Sequence, residues 1–211
     1  MAFEPKEDDK FETISDGSYV RRVYYKQELR EREQQGVDEF REWVRANNKP
    51  VPAGMLDDHN YELRFLNLND YNNEKAFEEM IENDKWMRES ALARFEDPGW
   101  TMDVALKGAL YGYRRDKNMN PIIYINARRA LDNGFGSDGI FDCVDFLMTY
   151  TRFAAFVPGK IEQYQMIIDV NGVKLWEIPY NAIIRIVMHS SLNFKHLCRS
   201  LNMVGLAWVA E

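Results

Sequence analysis

Pro121-Ile-Ile-Tyr-Ile125 and Tyr164-Gln-Met-Ile-Ile-Asp169 are short, β-branched and aromatic runs bounded by turn formers, and they read as strands. Between them, Ser137 or Asp138 is placed to cap a helix carrying Ile140, Phe141, Val144, Phe146, Leu147 and Tyr150. After Gly172 a second amphipathic stretch carries Ile183, Ile184, Val187 and Met188, and Leu201-Asn-Met-Val-Gly-Leu-Ala207 supplies a third strand. Strand, helix, strand, helix, strand predicts a parallel sheet with crossover helices.

Upstream of Pro98-Gly99 the hydrophobic period is helical. Tyr19 to Ala46 is helix-compatible, with Phe40, Trp43 and Val44 behind Asp38 and a single interruption at Gly36; Pro50 and Pro52 then mark a connection. Asp57 or Asp58 can cap a short helix through Leu63, Phe65 and Leu66, and Asn72 or Asn73 a longer one bearing Phe77, Met80, Ile81 and Met87. The predicted layout is a loose acidic tail over 1–17, a helical segment over 18–98 and an α/β core over 99–211.

Composition excludes several classes. The 211 residues are 45% hydrophobic and 29% charged, as in ordinary globular chains. A formal charge of −7 weighs against the broad cationic surface that nucleic acid requires, so no nucleic-acid partner is expected. The charge is uneven: residues 1–100 hold 15 basic and 24 acidic groups, net −9, whereas 101–211 hold 12 and 10, net +2. Cys143 and Cys198 can build neither a disulfide framework nor a zinc site, and the first twenty residues lack the apolar core of a signal peptide. A soluble cytoplasmic protein is expected.

Leu63-Arg64-Phe65-Leu66, then Asn73-Glu74-Lys75-Ala76 and Trp86, resembles the helical N-terminal segment of the CRAL-TRIO lipid-binding family, the fold of the yeast-type phosphatidylinositol transfer proteins. The later elements follow the same order. Asp116-Lys117 with Pro121 to Ile125 resembles the family's turn and strand, Ile167 to Gly172 its Asp-x-x-Gly strand end, and Ser200 to Leu206 its closing strand. The resemblance covers roughly residues 20 to 209. It implies an α/β fold with a helical lead, a mainly parallel sheet and an apolar ligand cavity, with no cofactor.

Departures from the family pattern narrow that expectation. Asn69-Asp70 stands where phosphoinositide-binding members carry Arg-Lys, so a cationic phosphate contact is replaced by an amide and a repelling carboxylate. Lys195-His196-Leu197 replaces the Pro-Glu-Arg element, and Met119-Asn120 the usual Gly-Arg. Positions that offer hydroxyls to a choline-type headgroup in some members fall near Tyr164 and Met166. The chain stops at Glu211, where members continue into a gate helix, so the core is expected to be incomplete, a fragment of a longer chain.

The resemblance makes Ile123, Ile125, Phe141, Phe146, Tyr150, Tyr164, Met166, Ile168, Ile184, Val187, Met188 and Ser191 pocket candidates, with Tyr124, Tyr164 and Ser191 offering hydroxyls to a headgroup. Each could equally serve the sheet-to-helix core, the commoner fate of such residues. Arg114, Arg115, Lys117, Arg128 and Arg129 flank the first strand and are candidates for contact with anionic lipid headgroups during a transient peripheral membrane association; solvated surface cations are the plainer account.

Sharper motifs fail on their spacing. Gly134-Phe-Gly136-Ser-Asp-Gly139 matches G-x-G-x-x-G, but seven residues separate it from the preceding strand, and a helix-capping loop explains it. Asp116-x-Asn118-x-Asn120 imitates a calcium loop, yet Pro121 and Ala127 occupy the glycine and glutamate positions, leaving a polar hairpin. His59, His189 and His196 are scattered, and neither His196 with Cys198 nor His189 with Ser190-Ser191 has a catalytic context, so no enzyme and no metal site are expected. The expected function is binding, and transfer or presentation, of a phospholipid or other small lipid. The alternative is a cavity-less protein-interaction module of the same fold, with a protein partner or a second copy covering the groove.

Overall fold

A computed structural model describes residues 3–15, 17–52, 55–56, 61–91, 107–194 and 197–205. The chain divides into two compact units, one comprising Met1–Met87 with Val157–Glu162, the other Arg88–Phe156 with Gln163–Glu211.

The first unit opens with a helical turn, α1 (Glu7–Lys10), and strand β1 (Phe11–Thr13), which pairs antiparallel with β2 (Tyr19–Arg21). Residues 7–13 are therefore ordered elements where composition predicted a loose tail. The helix expected over Tyr19 to Ala46 begins only at Glu31, as α2 (Glu31–Ala46). The physical reason lies in the backbone: the Tyr24 and Tyr25 N–H groups donate to the Glu162 carboxylate at 2.9 and 2.8 Å, and Lys26 adopts a positive φ of 50°. Neither is compatible with a continuing helix.

Gly36 does not break α2, because it makes room for a ring. A Cβ there would lie 2.3 Å from the Tyr71 side chain. Helices α3 (Tyr61–Leu68) and α4 (Asn73–Trp86) follow, and Asn72 caps α4 by accepting from the Lys75 N–H at 3.1 Å, as its sequence position predicts. Asp57, Asp58 and His59 lie outside the described residues. Phe40, Val44, Leu63, Phe65, Leu66, Phe77 and Met80 form the core of this unit. Residues 157–162 are drawn into it by Glu162, which also accepts from the Gly159 N–H at 2.9 Å and pairs with Arg64.

The second unit is built on a four-stranded sheet in the order β3 (Leu110–Arg115), β4 (Pro121–Asn126), β5 (Tyr164–Asp169), β6 (Cys198–Val204). The β3–β4 pair is an antiparallel hairpin, and β4, β5 and β6 run parallel. Asp116 organises the hairpin turn, accepting from the Asn118 and Asn120 N–H groups, each at 2.8 Å. This is the polar hairpin expected from Asp116-x-Asn118-x-Asn120.

The β4-to-β5 crossover contains α5 (Ala127–Asp132) and α6 (Ser137–Tyr150); the β5-to-β6 crossover contains α7 (Tyr180–Asn193). Gly136 occupies the N-cap of α6 with no side-chain bond, so Ser137 and Asp138 are first-turn residues instead of caps. Beyond Val204, only Gly205 of the expected third strand's remainder is described, and it lies outside β6.

Candidate functional site

The sheet has two chemically different faces. Along both β4 and β5 burial alternates strictly, which places Ile123, Ile125, Tyr164, Met166 and Ile168 on one side. Register confirms the sharing of a face, since Ile123 pairs with Met166 and Ile125 with Ile168. These residues are almost wholly buried. Helices α6 and α7 seal that side: the Tyr164 hydroxyl lies 3.0 Å from both Met148 Sδ on α6 and Ser190 Oγ on α7, and burial raises its pKa well above the ordinary tyrosine value.

The twelve pocket candidates consequently do not line one surface. The five strand residues and Phe146 are core. Phe141 is half-buried, its ring 5.1 Å from His189, and Tyr150 is exposed and stacks on Phe146 at 6.3 Å. Ile184, Val187, Met188 and Ser191 lie on the exposed side of α7, whose packed side is made by Ala182 and Ile186. The sequence period located this helix but selected its larger residues as the inward ones.

The second face of the sheet carries Ile122 and Tyr124 from β4, and Gln165, Ile167 and Asp169 from β5, all half-buried. Tyr111 of β3 pairs with Tyr124, and Tyr124 pairs with Ile167, which in turn pairs with Asn202. One cross-strand row therefore passes from aromatic through aliphatic to amide. The rings of Tyr111 and Tyr124 are 5.3 Å apart, and Tyr113 lies 6.2 and 6.3 Å from them.

Polar groups bracket this row. The Tyr124 hydroxyl donates to the Asp169 carboxylate; the bond holds Asp169 below the usual carboxylate range and, with burial, pushes Tyr124 up to about 12. At the other end of the strands the Gln165 amide donates to Asp116 at 2.6 Å. Tyr111, Tyr113, Ile122, Gln165, Ile167 and Asp169 were not among the pocket candidates of the sequence, although Ile167 and Asp169 lie in the Asp-x-x-Gly strand end that carried the resemblance. Alternation within β4 and β5 was the signal available for them, but both faces of these strands are apolar enough to read as core.

The basic candidates have separate fates. Arg115 donates to the Met119 and Ala155 carbonyls at 2.7 and 2.6 Å, so it braces the hairpin. Arg128 pairs with Asp132 at 2.5 Å and Glu177 at 3.5 Å. Arg114, Lys117 and Arg129 are exposed.

His189 acquires partners that its sequence neighbours did not suggest. Its Nε2 lies 2.5 Å from Asp145 Oδ1 and its Nδ1 2.9 Å from the Asn193 amide, while Ser190 Oγ is engaged by Tyr164. Burial pushes the Cys143 thiol up to about 12 and raises that of Cys198, the direction opposite to activation. Among the described residues, no group of three or more His, Cys, Asp or Glu side chains could hold a metal ion, and no helix is long and apolar enough to cross a membrane.

The sequence matches the model of the CRAL/TRIO domain over residues 106–211, half of the chain. The chain belongs to the CRAL/TRIO family. Its fold is similar to that of the crystal structure of Sfh5, with a TM-score of 0.62 at 11% sequence identity, over 84% of this chain and 72% of that one. No curated protein matches the sequence significantly. CRAL/TRIO membership places the chain, at a coarse level, among lipid-binding and lipid-transfer domains, and its helices and mainly parallel sheet agree with the fold implied by the resemblance.

Proposed function

We propose that this CRAL/TRIO chain binds a phospholipid or other small lipid against the second face of its sheet, and transfers or presents it. The observation that carries the reading is the asymmetry of the sheet: one face is filled by α6 and α7, while on the other Ile122, Ile167, Tyr111 and Tyr124 remain half-buried and Tyr113 is exposed. An acyl chain laid over such a row leaves water at about 0.8 kcal/mol per methylene, on the order of 10 kcal/mol for a 14-carbon chain before its own ordering cost. Apolar area then supplies the affinity, and few polar contacts are needed. Tyr124, Asp169 and Gln165 supply hydrogen-bonding groups at the margins, so the polar end of a lipid has partners without a cationic phosphate site.

The test is denaturing mass spectrometry with organic extraction on the full chain, as purified and after incubation with phospholipid vesicles. Wild type is expected to carry a defined lipid near stoichiometry, and Ile167→Glu to lower occupancy at least tenfold with an unchanged circular dichroism spectrum. Equal occupancy in the variant would move the ligand off this face. A lipid-free wild type after incubation would favour a protein-interaction module of the same fold.

A further inference from the structure

Helix α7 carries apolar residues on its outer side as well as its inner one. Ala182 and Ile186 are packed inward, yet Tyr180, Ile184, Val187, Met188 and Leu192 are 43–59% exposed on the outside. An amphipathic surface helix turns polar residues outward; here Asn181, Arg185 and Ser191 do so, but a continuous apolar ridge is exposed beside them. Tyr180, Ile184, Met188 and Leu192 follow one another at four-residue steps and form a single i±4 ridge, with Val187 filling the adjacent groove. Trp176, in the 3-10 turn Leu175–Glu177 just before the helix, is 80% exposed.

We propose that the outer face of α7 is a self-association surface, on which a second copy of the chain packs its own α7 across a two-fold axis. The ridge suits that occupant, because i±4 ridges interdigitate with their own symmetry mates and a two-fold contact needs one self-complementary patch. Area suits it as well. At the observed exposures the five side chains present about 500 Å² per copy, so two copies bury on the order of 1,000 Å², the lower bound of a specific interface, before Trp176 is added.

Charge decides against an anionic bilayer. A helix that lies in a lipid headgroup layer carries a cationic margin. The one Lys or Arg within α7 is Arg185, which is paired with Asp138. A second copy asks for no such margin, and the five ridge and groove residues bear no formal charge to desolvate. The inference concerns the helix side of the α/β unit and is independent of the ligand reading.

The test is sedimentation velocity on the full chain from about 1 to 100 μM, for wild type, Ile184→Glu/Met188→Glu and, as a second variant, Leu192→Lys, with circular dichroism to check folding. The expected result is a concentration-dependent wild-type dimer whose dissociation constant rises at least tenfold in both variants. A monomer at 100 μM, or a dimer indifferent to the substitutions, would overturn the proposal. Monomeric wild type that floats with phosphatidylcholine/phosphatidylserine vesicles, and loses flotation in the variants, would overturn it by assigning the face to membrane.

Discussion

Ile123→Ala is expected to lower the stability of the α/β unit by about 2–5 kcal/mol, whereas Ile122→Ala, one residue earlier on the same strand, costs about 1 kcal/mol. The two residues are chemically identical and differ only in the face they occupy. Ile123 has no exposed surface, pairs with Met166 in the next strand and sits beneath α6 and α7, so truncation leaves a cavity that close-packed neighbours fill only in part. Ile122 is half-buried on the other face and gives up part of a transfer energy, with no enclosed void. Hydrogen exchange of the β4 and β5 amides in urea reads the effect within the unit. Comparable losses for the two variants would contradict the division of the sheet into a sealed and a ligand-accessible side.

In the other unit, Glu33→Ala is expected to cost about 3–5 kcal/mol, the magnitude for stranding one partner of a buried ion pair. Arg21 and Glu33 are each 1% exposed and meet in a fork, with Nε to Oε1 at 2.8 Å and the second nitrogen to Oε2 at 2.5 Å. Arg21 also donates to the Val23 and Glu28 carbonyls, and Glu33 accepts the Arg30 N–H at 2.9 Å, so the pair ties β2 to the first turn of α2. Removing the carboxylate leaves a guanidinium with half its partners in a space that excludes water. The double replacement Arg21→Met/Glu33→Met is expected to recover part of the loss, because no lone charge remains, but not all of it, because those backbone groups lose their partners. Chemical denaturation of the wild type and the two variants checks the order; a double variant less stable than Glu33→Ala would contradict it.

The sequence made the strands legible and left their faces ambiguous. Pro121 to Ile125 and Tyr164 to Asp169 announce themselves through β-branched residues between turn formers, and the intervening helical periods specify crossovers and hence parallel pairing. Alternation assigns a face only when one side is polar. Here Ile122 opposes nothing more polar than Ile123, and Ile167 stands beside Ile168, so the most apolar residues were chosen for the cavity and proved to be the core. The same bias acted on α7, where small Ala182 makes a close inward contact while bulkier Ile184 and Met188 face outward.

Elements fixed by distant polar groups were illegible for a different reason. Arg21 with Glu33 and Asp145 with His189 are 12 and 44 residues apart, and local reading treats such groups as solvated surface. The N-terminal hairpin joins two strands of three residues each, too short for an alternating pattern to declare itself. Gly36 was read as an interruption because the Tyr71 ring that occupies its missing side chain's place comes 35 residues later.

The most direct test of the account is photocrosslinking with a phospholipid that bears a diazirine in its acyl chain, followed by peptide mapping of the labelled full chain. The account predicts labels on Tyr111, Ile122, Tyr124 and Ile167, with Ile123, Met166 and Ile168 unlabelled. Labels concentrated on the α6 and α7 side of the sheet, or none above a non-binding control, would contradict it.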